Sequence, residues 1–170
     1  MSAWIIPIRL EPVECHIHAD RRLAFQVLSA FGASQPGGGS SRVLRDEGGR
    51  KLVEFHTPIA VRSARTTLLR TVEWVTLHEP EAIDFEKVEG PLHLLRDRFI
   101  LDEVDRCTRF RYESTFGVKG GLLGWLVGQL RVKPVLGAFM RRHAQELKQT
   151  IEERARRSRL FPFHSCGVAE

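Results

Sequence analysis

The sequence predicts an α+β domain in which one long C-terminal helix lies against an antiparallel sheet. Three observations carry this prediction. From Pro134 onward, Val135, Leu136, Phe139, Met140, Ala144, Leu147 and Ile151 recur at spacings of three and four, which places them on one stripe of an α-helix. Arg141, Arg142, Gln145, Lys148, Gln149 and Glu152 fall on the opposite, water-facing side. From Val135 to Arg157 the helix makes about six turns and spans roughly 34 Å. Secondly, most of the chain before Gly117 reads as strands, the only surface large enough to cover such a stripe. Thirdly, the last of these strands alternates cleanly, with Phe110, Tyr112, Ser114 and Phe116 on one face and Arg109, Arg111, Glu113 and Thr115 on the other. One buried face and one wet face is the pattern of an antiparallel sheet covered on a single side.

In chain order, Val13, Cys15 and Ile17 alternate with Glu14, His16 and His18, a strand whose histidine side is expected in water. Asp20 caps a short helix carrying Leu23, Ala24, Val27, Leu28 and Phe31, and Gly32 stops it. Gly32 to Ser41, including 34–41 with Pro36 and three consecutive glycines, is a long loop, either a tolerated surface insertion or a lip over a cavity mouth. Arg42–Glu47 and Lys51–Thr57 flank Gly48-Gly49 as a hairpin. Arg65–Leu77 follows, separated from the previous strand around Pro58 and ended by Pro80. Ala82–Val88, Leu94–Leu101 and Arg109–Phe116 complete the strands, with turns at Gly90-Pro91 and through Asp102, Glu103 and Asp105. Gly120–Gly128 is an apolar, glycine-punctuated helical lead-in, and Pro134 kinks or restarts the helix after it. Residues 1–157 form one domain and 158–170 a tail, either frayed or packed back.

At 170 residues and 42% hydrophobic, a chain buries roughly 70% of its unfolded surface on folding and needs no metal or disulfide to do so. Three cysteines, Cys15, Cys107 and Cys166, are an odd number without paired spacing. A disulfide framework or zinc cluster is therefore not expected, and a reducing cytoplasm is the natural compartment. No signal peptide or membrane-spanning run is recognisable. The net charge of +5 argues little for nucleic acid, because Arg154, Arg156, Arg157 and Arg159 sit at a helix C-terminus that favours cations anyway.

Taken together, strand, short helix, a run of antiparallel strands and a long final helix resemble the helix-grip arrangement of the START/polyketide cyclase-like superfamily, which includes coenzyme-Q-binding and aromatase/cyclase-type proteins. Val88-Glu89-Gly90-Pro91 looks like the glycine turn between two central strands of that family, and Arg109 to Glu113 like its final strand. Gly120-Gly121-Leu122-Leu123-Gly124 through Pro134, then Leu147-Lys148 and Ile151-Glu152, are similar to its end helix. The resemblance covers Val13 to Glu153. Cys107-Thr108 stands where many relatives carry Gly-Thr, a departure that bears on the turn before the last strand. The resemblance implies a curved sheet of about six to seven strands around the helix. It also implies an apolar cavity between them for a lipid, quinone or polyketide-like molecule, and no cofactor.

Within that frame the ligand-binding candidates are Phe110, Tyr112, Ser114 and Phe116 on the last strand, with Leu136, Phe139, Met140 and His143 on the helix. Rings with a few hydroxyls and one imidazole make a typical small-molecule lining; the same residues could equally fill a closed core. Tyr112 or His143 would move the proton if the protein were a cyclase or dehydratase. His16 and His18 share a strand face and could share a metal, but no metal site is expected. The carboxylates Glu54, Glu73 and Glu86 read as solvated, since burying one unpaired would cost several kcal/mol. Leu122, Leu123, Trp125 and Leu126 either cover the open end of the sheet or dip into a membrane surface beside Arg131 and Lys133. A third reading, also implied by the resemblance, is a module docking protein or RNA.

Overall fold

The computed structural model describes residues 4–32, 39–61 and 65–167. Most of the loop read between Gly32 and Ser41 lies outside them. The sheet has eight antiparallel strands, β1 (Ile8–Arg9), β2 (Val13–Ile17), β3 (Ser40–Asp46), β4 (Arg50–Val61), β5 (Arg65–His78), β6 (Ala82–Glu89), β7 (Leu94–Val104) and β8 (Cys107–Gly117). Their order is β1-β8-β7-β6-β5-β4-β3, and β2 shares with β1 the free edge of β8. The two-residue β1 was not anticipated. Helix α1 (Arg21–Leu28) follows β2, with the Asp20 carboxylate accepting the Arg22 N–H at 2.7 Å.

Pro58 does not break β4. It pairs opposite Leu68, beyond the point where β3 ends against His56, so its missing N–H costs no ladder bond on that side. The turn before β8 is also tighter than expected. β7 and β8 run to Val104 and Cys107, leaving only Asp105 and Arg106, whose φ values of 49° and 67° give the left-handed pair a two-residue hairpin needs.

The C-terminal helix runs from Gly121 to Arg157 as α2 (Gly121–Val127), a π-helical stretch (Gly128–Val132) and α3 (Lys133–Arg157). The wide turns fall just before Pro134, where i→i−5 bonding lets the chain stay helical across the missing proline N–H. A Cβ at Gly124 would run into the Lys119 carbonyl, so glycine is what lets α2 lie against the end of β8. Of the predicted stripe, Met140, Ala144, Leu147 and Ile151 are buried, whereas Val135 is exposed. Glu152, expected in water, is buried, and its carboxylate accepts the backbone N–H of His18 at 2.9 Å, tying α3 to edge strand β2. The core lies between α1, α3 and the concave sheet face, around Ile17, Val53, Val75, Ile83, Leu101 and Phe110.

The tail packs back. The His164 N–H donates to the His18 carbonyl at 3.4 Å, and Phe163 lies between the His18 ring and the Arg156 guanidinium. This return brings Cys166 to Cys107 as a disulfide, with Cα atoms 6.5 Å apart, and leaves Cys15 free. The expectation of no disulfide is thereby corrected: a separation of 59 residues hides the pairing from any spacing rule. His16 and His18, expected in water, are half-buried because the tail covers them.

Candidate functional site

Strand alternation decides what faces α3. The register Phe55–Thr71, Val53–Glu73, Phe85–Asp97, Phe99–Tyr112 and Asp97–Ser114 puts all these side chains on the concave side. Between them and α3 lies a cavity of about 310 Å³. Its apolar wall is a run of rings in edge or tilted contact, from Phe31 to Phe55 (5.9 Å), Phe85 (6.2 Å), Phe99 (4.8 Å) and Tyr112 (5.8 Å). Phe139 and Met140 close it from the helix, and His143 stacks on Phe139 with centroids 5.7 Å apart. Burial holds the His143 imidazole below its ordinary pKa, against the pull of Glu146 at 3.7 Å.

Acidic groups are embedded in this apolar wall. Glu73 is 7% exposed, and its carboxylate accepts the Thr71 hydroxyl at 2.8 Å. Asp97 accepts the Tyr112 hydroxyl at 3.0 Å. Burial pushes Glu73 up to about 7, helped by the charge of Asp97 and opposed by Thr71. Burial likewise raises Asp97 to about 6, opposed by the hydroxyls beside it, and lifts Tyr112 well above the usual phenol range. Around neutral pH one carboxyl is therefore largely ionised while the other is partly protonated, and the phenol keeps its proton. A base and an acid thus coexist in one pocket.

Of the predicted ligand-binding residues, Tyr112, Phe139, Met140 and His143 line the cavity; Phe110, Ser114, Phe116 and Leu136 do not. Phe110 is core, Leu136 packs on the core, and Phe116 lies beneath Gly128 beside Ile8. Ser114 is buried opposite Asp97, where its hydroxyl helps hold that carboxyl's pKa down. The strand pattern does not single out Thr71 or Asp97, and Glu73, expected in water, is inside because it lies two residues before Val75 in the same concave phase. A larger groove of about 750 Å³ beside Leu10 and Pro12 is lined by both phases of β6–β8, so Phe85, Asp97 and Ser114 reach it as well; its charged rim is paired, Arg96 with Glu86 (3.2 Å) and Arg98 with Asp84 (3.5 Å). Leu122, Leu123 and Leu126 are exposed and Trp125 is half-buried, so the first three do not cover the sheet end. Among the described residues no helix is long and apolar enough to cross a membrane.

The fold is that of the START and aromatase/cyclase structures. Similar solved structures include the ZhuI aromatase/cyclase from Streptomyces sp. R1128, at 16% identity over 92% of this chain and 98% of that one, with a TM-score of 0.67. A START superfamily protein from Mycobacterium smegmatis is 18% identical over 86% of this chain and 97% of its own, with a TM-score of 0.64. The chain also matches half (50%) of BexL, a di-domain aromatase/cyclase of the BE-7585A biosynthetic pathway, at 14% identity over 86% of this chain and a TM-score of 0.68. No protein-family model and no curated protein matches the sequence.

Proposed function

We propose that the protein binds a hydrophobic small molecule, lipid-, quinone- or polyketide-like, between the sheet and α3. The observation that carries this is the aromatic cavity itself, whose volume of about 310 Å³ sits at the small end of ordinary ligand sites. Native mass spectrometry of freshly purified protein, with identification of whatever denaturation releases, is the direct test. Thr57→Trp, at the β4 side of the cavity, fills the space without opening the core and is expected to abolish retention. Equal retention by the folded variant would sink the reading.

A second reading, cyclase- or dehydratase-type proton transfer, is favoured by the Asp97–Tyr112 hydrogen bond and the raised Glu73 inside that cavity. Asp97 would take a proton from carbon next to a ligand carbonyl, and Tyr112 would donate to the oxygen that gains charge. A small aromatic 1,3-diketone in D₂O tests this by mass spectrometry. Catalysed deuterium uptake that Asp97→Asn abolishes is expected, and uptake no faster than buffer would refute it. Delivery from a membrane surface is a further part of the proposal. It rests on the exposed Leu122, Leu123 and Leu126, with Arg131 also exposed and Lys133 half-buried nearby. Flotation with anionic vesicles is expected for the wild type and lost in Leu122→Ser/Leu123→Ser.

A further inference from the structure

Far from the cavity, on the convex side of β2 and β8, four side chains with metal-ligand chemistry converge. His16 and His18 are two apart on β2 and so share a face. The β2–β8 register pairs Ile17 with Thr108, and its next step brings His18 beside Cys107. The returning tail adds Cys166, whose N–H lies 3.4 Å from His18 Nδ1. One ligand atom from each of the four falls within 4.8 Å of all the others, with both cysteines buried and both histidines half-buried. The Nε2 of His16 is moreover enclosed by protein without any hydrogen-bond partner, a lone pair or N–H that the protein itself leaves unsatisfied.

We propose that His16, His18, Cys107 and Cys166 form a four-coordinate zinc site when the two cysteines are thiols. Two imidazoles and two thiolates are a donor set that selects zinc in closed, structural sites. Two thiolates also cancel the charge of the ion, which suits a covered location. The disulfide is the alternative state of the same residues. A small-molecule thiol reductant supplies two electrons and two protons, giving two cysteine thiols and one oxidised reductant disulfide. Zinc then displaces the two thiol protons. In either state the tail is fastened across edge strand β2 to the start of β8. The sequence concealed the site because its ligands come as one strand pair and two distant single cysteines rather than in two close pairs.

The test uses the full chain, reduced with a phosphine and dialysed against zinc or cobalt(II). One equivalent of zinc per chain is expected, and cobalt should give sulfur-to-metal charge-transfer absorption together with tetrahedral visible bands. Removing one ligand through His16→Ala or Cys166→Ser should weaken binding by more than about 100-fold, beyond what loss of a mere supporting hydrogen bond does. Cys15→Ser should leave binding unchanged, since that sulfur faces the Ala144 carbonyl of α3. Oxidation with diamide should release the metal. Reduced, folded wild type without stoichiometric zinc overturns the proposal. So does cobalt bound without sulfur charge transfer, or metal retained in full after oxidation.

Discussion

Glu54 and Glu73 sit one step out of phase on neighbouring strands, since Glu54 pairs with Val72 and Val53 with Glu73. Both are nearly inaccessible, at 6% and 7% exposure. Yet they are driven in opposite directions. Glu54 faces the convex side, where Arg70 donates to it at 2.7 Å and Arg42 at 3.1 Å, and its pKa falls below the usual carboxylate value. Glu73 faces the cavity, where its carboxylate accepts the Thr71 hydroxyl, and burial pushes it to about 7. Burial alone therefore does not set the protonation state; a cation within reach reverses its effect. The convex face spends its charges on holding strands together, while the concave face keeps carboxyls poised.

The largest test of this contrast is Glu73→Gln. A carboxyl whose pKa is higher folded than unfolded stabilises the protein fully below the unfolded value, and that contribution is lost as pH rises through the folded value. Wild-type stability should thus decline between about pH 4.5 and 7 on account of Glu73, with Asp97 contributing up to about 6. Glutamine cannot ionise and removes the Glu73 part. Denaturant unfolding is expected to show the variant more stable than wild type at pH 8 by on the order of 3 kcal/mol, and nearly equal at pH 4. A variant destabilised at pH 8 would mean that Glu73 has a cationic partner.

How much of this could be read from the sequence follows the same division. The long helix, α1 with its Asp20 cap, and the alternation of β8 were legible, because each is a local periodicity with one buried side. The cavity-facing Tyr112, Phe139, Met140 and His143 followed from those periods. Glu73 and Asp97 did not, because a carboxylate within a strand normally marks the wet face. The signal was nevertheless present in β7, where Leu101, Phe99, Asp97 and Leu95 share a side, so the acid interrupts an otherwise apolar row. In β5, Thr71 and Glu73 both fall in the phase of buried Val75, so two consecutive polar positions on that side imitate a wet face. The Cys107–Cys166 pairing and the burial of Glu152 depend on where the tail and α3 land, which no local period encodes.

A smaller effect is expected from Tyr112→Phe, which keeps the ring in its contacts with Phe99 and removes only the hydroxyl on Asp97. That hydroxyl lowers the Asp97 pKa, so its loss should raise the carboxyl's midpoint by about one unit in carbon-13 carboxyl titrations. The cost in stability should be about 1 kcal/mol near neutral pH, where Asp97 is the ionised acceptor. An unmoved midpoint would show that the hydroxyl points elsewhere.

The smallest effect, and the one that closes the comparison, belongs to Arg70→Gln. The Arg70 side chain is half exposed and bridges Glu54 to Glu89 at 2.7 and 2.8 Å, so solvent screens much of what it contributes. Arg42 remains to hold Glu54 when it is gone. Because the Glu54 pKa is depressed in the folded state, its contribution exists above the unfolded value and disappears as pH falls through the folded one. Arg70→Gln should therefore destabilise modestly at pH 8, less so in high salt, and not at all in strong acid. Glu73→Gln changes stability in the opposite direction at the same pH. Measured side by side, two substitutions on β5 three residues apart should separate with rising pH. Parallel pH profiles would show that the two faces of the sheet do not treat their charges differently after all.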